Sequence, residues 1–201
     1  MMNNRIEAPP QNEPTETSPG EFLARSLLQT RTVLISDAID HKLTQKVVAQ
    51  LLLLDEEDPE KPVKVLINSP GGNPDDGFAI YDTMRFIRPT VSTLNVGLSA
   101  SAATILMLGA PKDRRFALPN ARIMIHQPWG QAPGAQAENI KRWAEQILKL
   151  RERINRLYAE ETGHSIEKIQ EDTDRDYWMS PEEAVEYGLL SKVITSYEEI
   201  P

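Results

Sequence analysis

The 201-residue sequence predicts an α/β fold with a mostly parallel sheet, and three observations carry that prediction. Short apolar runs of strand length alternate with stretches whose apolar residues recur at helical spacing. Turn signals rich in Gly, Pro, Asn and Asp separate the two kinds of segment. No internal repeat of solenoid type is evident, and the length suits one domain with a real core.

Residues 1 to about 20 are rich in Asn, Glu, Pro, Thr and Ser and lack a signal-peptide apolar core. They read as a disordered or processed extension ahead of one domain, residues 21–201. Glu21 to Leu28 has helical spacing, and Thr32 to Ser36 reads as a short buried strand. Val47, Val48, Leu51, Leu52 and Leu54 form an apolar stripe on a helix from Asp40 to Asp55, broken by Asp55-Glu56-Glu57-Asp58-Pro59. The strand Val63 to Ile67 stops at the turn Asn68-Ser69-Pro70-Gly71-Gly72. Phe78, Ile80, Tyr81, Met84, Phe86 and Ile87 define a helix that ends before Pro89.

The alternation then repeats. Val91 to Val96 is strand-like, and Ser101 opens a helix, Ala102 to Leu108, that is apolar all round and therefore buried. Gly109 and Pro111 terminate it. Arg122 to His126 reads as a strand stopped by Pro128. The longest helix runs from Ala137 to Thr162, with Ile140, Trp143, Ala144, Ile147, Leu150, Ile154, Leu157 and Tyr158 on one face and Gly163 as its stop. Ser180-Pro181-Glu182-Glu183 is a capping box with proline at the first helical position. Gly188 closes that helix, and Leu189 to Thr195 reads as a last strand.

A net charge of −8 argues against nucleic acid or an anionic membrane as the main partner. The absence of cysteine excludes disulfides, thiolate zinc sites and thiol nucleophiles. The longest strongly apolar stretch, Ala102 to Ala110, is too short to span a bilayer. A cytoplasmic protein is the default expectation.

Chemistry concentrates in Gly97-Leu98-Ser99-Ala100-Ser101-Ala102-Ala103 and in Met124-Ile125-His126-Gln127-Pro128. The first segment sets a serine among residues small enough for a substrate backbone to approach. A hydroxyl becomes a nucleophile when a neighbouring base takes its proton, and neutral imidazole is the usual base near pH 7. Ser101 at a helix start would have free N–H groups beside it to hold developing negative charge. The bland reading is a helix cap. Ser99 competes, because Gly97-Leu98-Ser99 resembles the start of an α/β-hydrolase elbow, although that motif wants glycine where Ser101 stands. Of the three histidines, His41 and His164 look like turn residues, which leaves His126 as base or as a satisfied core histidine.

A third group must hold the imidazole in one tautomer, and Asp172, Asp174 and Asp176 are candidates in a run that also reads as a solvated acidic turn. Tyr177, Trp178 and Met179 follow, suggesting that the chain re-enters the core with Asp176 at its edge. Gly71-Gly72 is either a plain turn or a backbone amide aimed at a substrate carbonyl; Gly72 and Ala102 would then be the donor pair.

Together these runs resemble the ClpP family of ATP-dependent serine peptidases, over nearly all of residues 22–195. The matching segments include Val48 to Leu52, Ile67 to Gly72, Ala79 to Met84, Gly97 to Ser101, Leu118-Pro119-Asn120, Met124 to Pro128, Asp172 to Asp176 and Glu183 to Leu189. The resemblance implies a ClpP/crotonase-like α/β spiral in which the long helix is a protruding handle. It makes Ser101 the nucleophile, His126 the general base, Asp176 its orienter, and Gly72 and Ala102 the oxyanion-hole amides. It also implies two stacked seven-membered rings, with Asp174 and Arg175 at positions that pair between rings.

An unfolded peptide would be held as an added strand between the Gly72 segment and the loop after Pro128. An AAA+ unfoldase of the ClpX or ClpA/ClpC type would deliver it, docking at apolar positions matched by Leu52, Leu53, Phe86, Phe116 and Leu118. ATP would be used by that partner, and no cofactor is expected in this chain.

The sequence departs from the family pattern in three places. Asn73-Pro74-Asp75-Asp76 follows the glycines in place of Ser-Val, Ala102-Ala103 replaces Met-Gly after the serine, and Lys64 and Leu66 stand where docking aromatics are common. Two further readings are a weakly active or non-catalytic ring subunit of a hetero-oligomer and a crotonase-type acyl-CoA enzyme. Against the second, no basic cluster for CoA phosphates is evident.

Overall fold

A computed structural model describes residues 19–128 and 137–201. The expected N-terminal extension, apart from its last two residues, and the loop after Pro128 lie outside the described residues. The chain opens with α1 (Pro19–Gln29) and β1 (Thr32–Ile35), then α2 (His41–Glu57), which Asp40 caps by accepting from the Leu43 N–H. Next come β2 (Val63–Ser69) and α3 (Pro74–Phe86), which is capped by Asn73 and has proline in its first turn. The long β3 (Val91–Ala100) leads into the short α4 (Ala102–Met107).

The second half comprises β4 (Arg115–Ala117), β5 (Arg122–Ile125), α5 (Ala137–Thr162), α6 (Ile166–Asp172), β6 (Tyr177–Met179), α7 (Pro181–Glu186) and β7 (Lys192–Val193). The expected capping box at Ser180 and Glu183 forms with both of its hydrogen bonds.

The sheet runs β1-β2-β3-β4-β7 and is parallel along this path. β3 serves two neighbours in turn. Thr93 to Asn95 pairs with β4, and Leu98 to Ala100 pairs with β5. β6 then adds antiparallel to β5, with Tyr177 opposite Ile125. The C-terminal ends of β2, β3 and β5 and the N-terminal end of β6 therefore converge on one edge, where α/β sheets place their ligand sites.

Alternation along β2 assigns the two faces. Val63, Val65 and Ile67 join the main core with α2, α3 and α4, while Leu66 packs into a smaller cluster with Leu94, Phe116, Ile194 and Ile200. All six residues of α4 are buried, including Thr104, the one polar side chain in an otherwise apolar helix. Arg115, 1% exposed, is held by the carbonyls of Leu108 and Ala110 and by Glu161 of α5 at 2.6 Å, which anchors the end of the long helix to the sheet.

Three sequence expectations change. The long helix buries its apolar face only in its second half, through Ile154, Leu157 and Tyr158, whereas Ile140 is 47% exposed. Leu148, also in the first half, is 62% exposed. Tyr177 and Trp178 do not re-enter the core; only Met179 of that run is buried. The last strand shrinks to Lys192–Val193 because β4, on which it pairs, is three residues long.

Candidate active site

Ser101 follows β3 directly and has φ 57° and ψ −128°, in the left-handed half of backbone space that side chains avoid. Holding a non-glycine residue there costs about 1–3 kcal/mol and persists only where the surroundings over-determine it. Here they do. The Ser101 N–H donates to Met124 O at 2.9 Å, and its carbonyl accepts from the Thr104 N–H at 3.0 Å and the Thr104 hydroxyl at 2.6 Å. The kink between strand and helix turns the side chain out of the ladder and toward β5.

His126 is the first residue past β5, so parallel register sets it beside Ser101. Its Nε2 lies 2.7 Å from Ser101 Oγ, and its Nδ1 lies 3.0 Å from Asp176 Oδ1. The carboxylate can only accept, so Nδ1 carries the hydrogen and Nε2 is left to accept from the serine hydroxyl. Asp176 reaches Nδ1 because Tyr177 pairs with Ile125, which sets the preceding residue opposite His126. The other two aspartates are engaged elsewhere. Asp172 accepts from Tyr187 at 2.7 Å and pairs with Lys168, and Asp174 accepts from the Gln127 side chain at 3.2 Å.

The neighbouring backbone is tied down as well. Gln127 N–H donates to Thr173 O at 2.7 Å, and the Thr173 hydroxyl lies 3.5 Å from the buried Asn155 of α5. Ser99, the rival nucleophile, is fully buried within β3, and its hydroxyl meets no protein partner. His41 is exposed, and His164 packs its ring against Tyr187 with centroids 4.5 Å apart.

Gly71 needs its glycine. Its φ is 87°, and a Cβ built there would lie 2.4 Å from Ala100 O, 2.7 Å from Ser101 Cβ and 2.9 Å from Ala102 N. The β2 turn is thereby pressed against the start of α4. Gly72 forms a parallel bridge with Ile39 in which Gly71 O accepts from Ile39 and Asn73 N–H donates to Ile39 O. That pattern uses the groups on either side of Gly72 and leaves its own N–H outside the bridge. Ala102 is the first residue of α4, so its N–H has no acceptor one turn back.

An open cavity of about 450 Å³ is lined by Pro70, Gly71, Gly72, Pro74, Ser101, Met124, His126 and Pro128. All five site residues expected from sequence thus gather at one sheet edge: Ser101, His126 and Gly72 line the cavity, with Asp176 behind the imidazole and Ala102 at the helix start. Sequence reading missed Thr104 and Tyr158, which lie behind the serine. Their only signal was polarity on otherwise apolar helical faces. Among the described residues, no group of three or more His, Asp or Glu side chains is arranged to hold a metal ion.

The family model for Clp protease matches residues 20–197, and the chain belongs to that family of peptidases. Its members generally form oligomers and work with Clp ATPases. Among the described residues, no helix is long and apolar enough to cross a membrane.

Proposed function

We propose that this chain is a serine endopeptidase that cleaves unfolded polypeptides through an acyl-enzyme. The single observation that carries the reading is the unbroken line Ser101 Oγ–His126 Nε2 and His126 Nδ1–Asp176 Oδ1, at 2.7 and 3.0 Å, beside an open cavity. Ser101 Oγ attacks the scissile carbonyl while His126 takes its proton, and Asp176 stabilises the imidazolium. The N–H groups of Gly72 and Ala102 stabilise the oxyanion. The imidazolium then returns the proton to the leaving amine, and water repeats the sequence to release the acid.

The cavity is open and lined by two glycines and three prolines beside Ser101, Met124 and His126, which suits a peptide bound through its main chain with little side-chain selection. The working form is a pair of stacked heptameric rings. Apolar residues exposed on the first half of α5, Ile140 and Leu148, supply surface for that assembly. An AAA+ unfoldase of the ClpX or ClpA/ClpC type feeds the chamber, and Leu52, Leu53 and Phe86 (44%, 66% and 79% exposed) offer it an apolar dock on α2 and α3.

The test is hydrolysis of a fluorogenic peptide by the assembled protein. Cleavage by wild type and none by Ser101→Ala is expected; an inert wild-type assembly would instead support the non-catalytic ring subunit.

A further inference from the structure

We infer that Thr104 and Tyr158 are positioning residues for the nucleophile. A relay of hydroxyl hydrogen bonds from the long helix α5 fixes the Ser101 carbonyl, and with it the backbone twist that aims the serine at His126. The inference rests on the reading of Ser101 as nucleophile.

Ser101 adopts positive φ without being glycine, so its conformation depends on what grips the peptide groups on either side. On the N-terminal side the grip is the ladder bond to Met124 O. On the other side, the carbonyl receives two hydrogens from Thr104, one from the backbone and one from the hydroxyl at 2.6 Å. A hydroxyl has one hydrogen to give. With that hydrogen committed to Ser101 O, the contact between Tyr158 OH and Thr104 Oγ1 must be a donation from the tyrosine. The order is Tyr158 O–H to Thr104 Oγ1, then Thr104 O–H to Ser101 C=O.

Solvent offers no substitute, because Thr104 is fully buried and Tyr158 is 1% exposed. Thr104 is the only polar side chain on α4; Ala102, Ala103, Ile105, Leu106 and Met107 bring no other donor. Burial pushes the Tyr158 phenol up to about 12, so it stays a donor throughout the neutral range. A buried threonine often bonds a carbonyl one turn back simply to satisfy itself. Two features go beyond that habit: the carbonyl belongs to the strained Ser101, and a second buried hydroxyl from a distant helix orients the first.

The experiment compares Thr104→Val, Thr104→Ser, Tyr158→Phe and the Thr104→Val/Tyr158→Phe pair in the full-length assembled protein. It follows the rate of Ser101 acylation by a fluorophosphonate through intact mass, together with kcat and KM on a fluorogenic peptide. Thr104→Val and Tyr158→Phe should each slow acylation and kcat about ten-fold, a barrier increase of about 1.4 kcal/mol. KM should stay within about two-fold, because neither side chain touches peptide. Thr104→Ser, which keeps the hydroxyl, should acylate near the wild-type rate. The double variant should be no slower than Thr104→Val, since the relay passes through that residue.

Acylation at the wild-type rate in both Thr104→Val and Tyr158→Phe overturns the inference alone, even if their melting temperatures fall. So does a Thr104→Ser variant as slow as Thr104→Val. Failure of wild type itself to acylate overturns the nucleophile reading, and the relay falls with it.

Discussion

Ser101 and Asp176 stand at the two ends of one line of hydrogen bonds, in opposite surroundings. Ser101 lies in strained backbone between a buried strand and a fully buried helix, and both of its peptide groups are gripped. Asp176 has a side chain 58% exposed, precedes a strand of three residues, and bonds His126 through Oδ1. His126 shares the character of the first end, with a side chain only 14% exposed. In the proposed mechanism the geometry that must be accurate, where a proton leaves an oxygen that is forming a bond, is built into the core. In that mechanism the acid needs only to set the tautomer, for which a single hydrogen bond at the surface suffices.

This contrast separates activity from stability, and it can be broken at several points. Ser101→Ala should have the largest effect, lowering turnover of a fluorogenic peptide by about 10⁶-fold; measurable turnover within a few-fold of wild type would remove Ser101 from the chemistry. Asp176→Asn comes next. A buried triad acid is worth about 10⁴ in rate, and partial exposure lets water share its task, so a loss of about 10²–10³ is expected. The melting temperature should not move, because the side chain is exposed and packs against little. A large fall in melting temperature would show that the acid end is structural after all.

Gly71→Ala tests the crowded end from the side of β2. Its Cβ cannot fit at 2.4 Å from Ala100 O, so the Gly71 turn must retreat from Ser101. Loss of fluorophosphonate labelling is expected, with a destabilisation of about 1–3 kcal/mol read from thermal melting. The smallest effect concerns strain alone. Ser101→Gly should melt above Ser101→Ala by roughly 2–4 °C, because glycine accepts φ 57° and alanine does not. Equal melting temperatures would mean that the backbone at 101 carries no strain.

The buried end was the more legible in sequence. A nearly uniform apolar run after Ser101 reads as a buried helix and Gly71-Gly72 after a strand as a turn, but the joint choice of Ser101, Ala102 and Gly72 over a helix cap, Ser99 or a plain turn comes from the resemblance to the ClpP family. The acid was harder. Asp172, Asp174 and Asp176 are chemically alike, and the choice depends on the pairing of Tyr177 with Ile125 across a strand too short to leave a pattern. Alternation alone could not separate Asp172, which turns to Tyr187 and Lys168, from Asp176. β4 escaped notice for the same reason of length, and because Arg115, a charged residue, is among its buried members. The apolar stripe of α5 is visible throughout, yet Ile140 in its first half stays 47% exposed: periodicity reports which face is apolar, not what covers it.

The most direct measurement is the intact mass of the assembled protein after exposure to a fluorophosphonate, with the adduct mapped by peptide. A single adduct on Ser101 is expected, absent from Ser101→Ala and slower to form in Asp176→Asn. An unmodified wild-type chain, or an adduct that persists in Ser101→Ala, would contradict the assignment of that hydroxyl as the nucleophile.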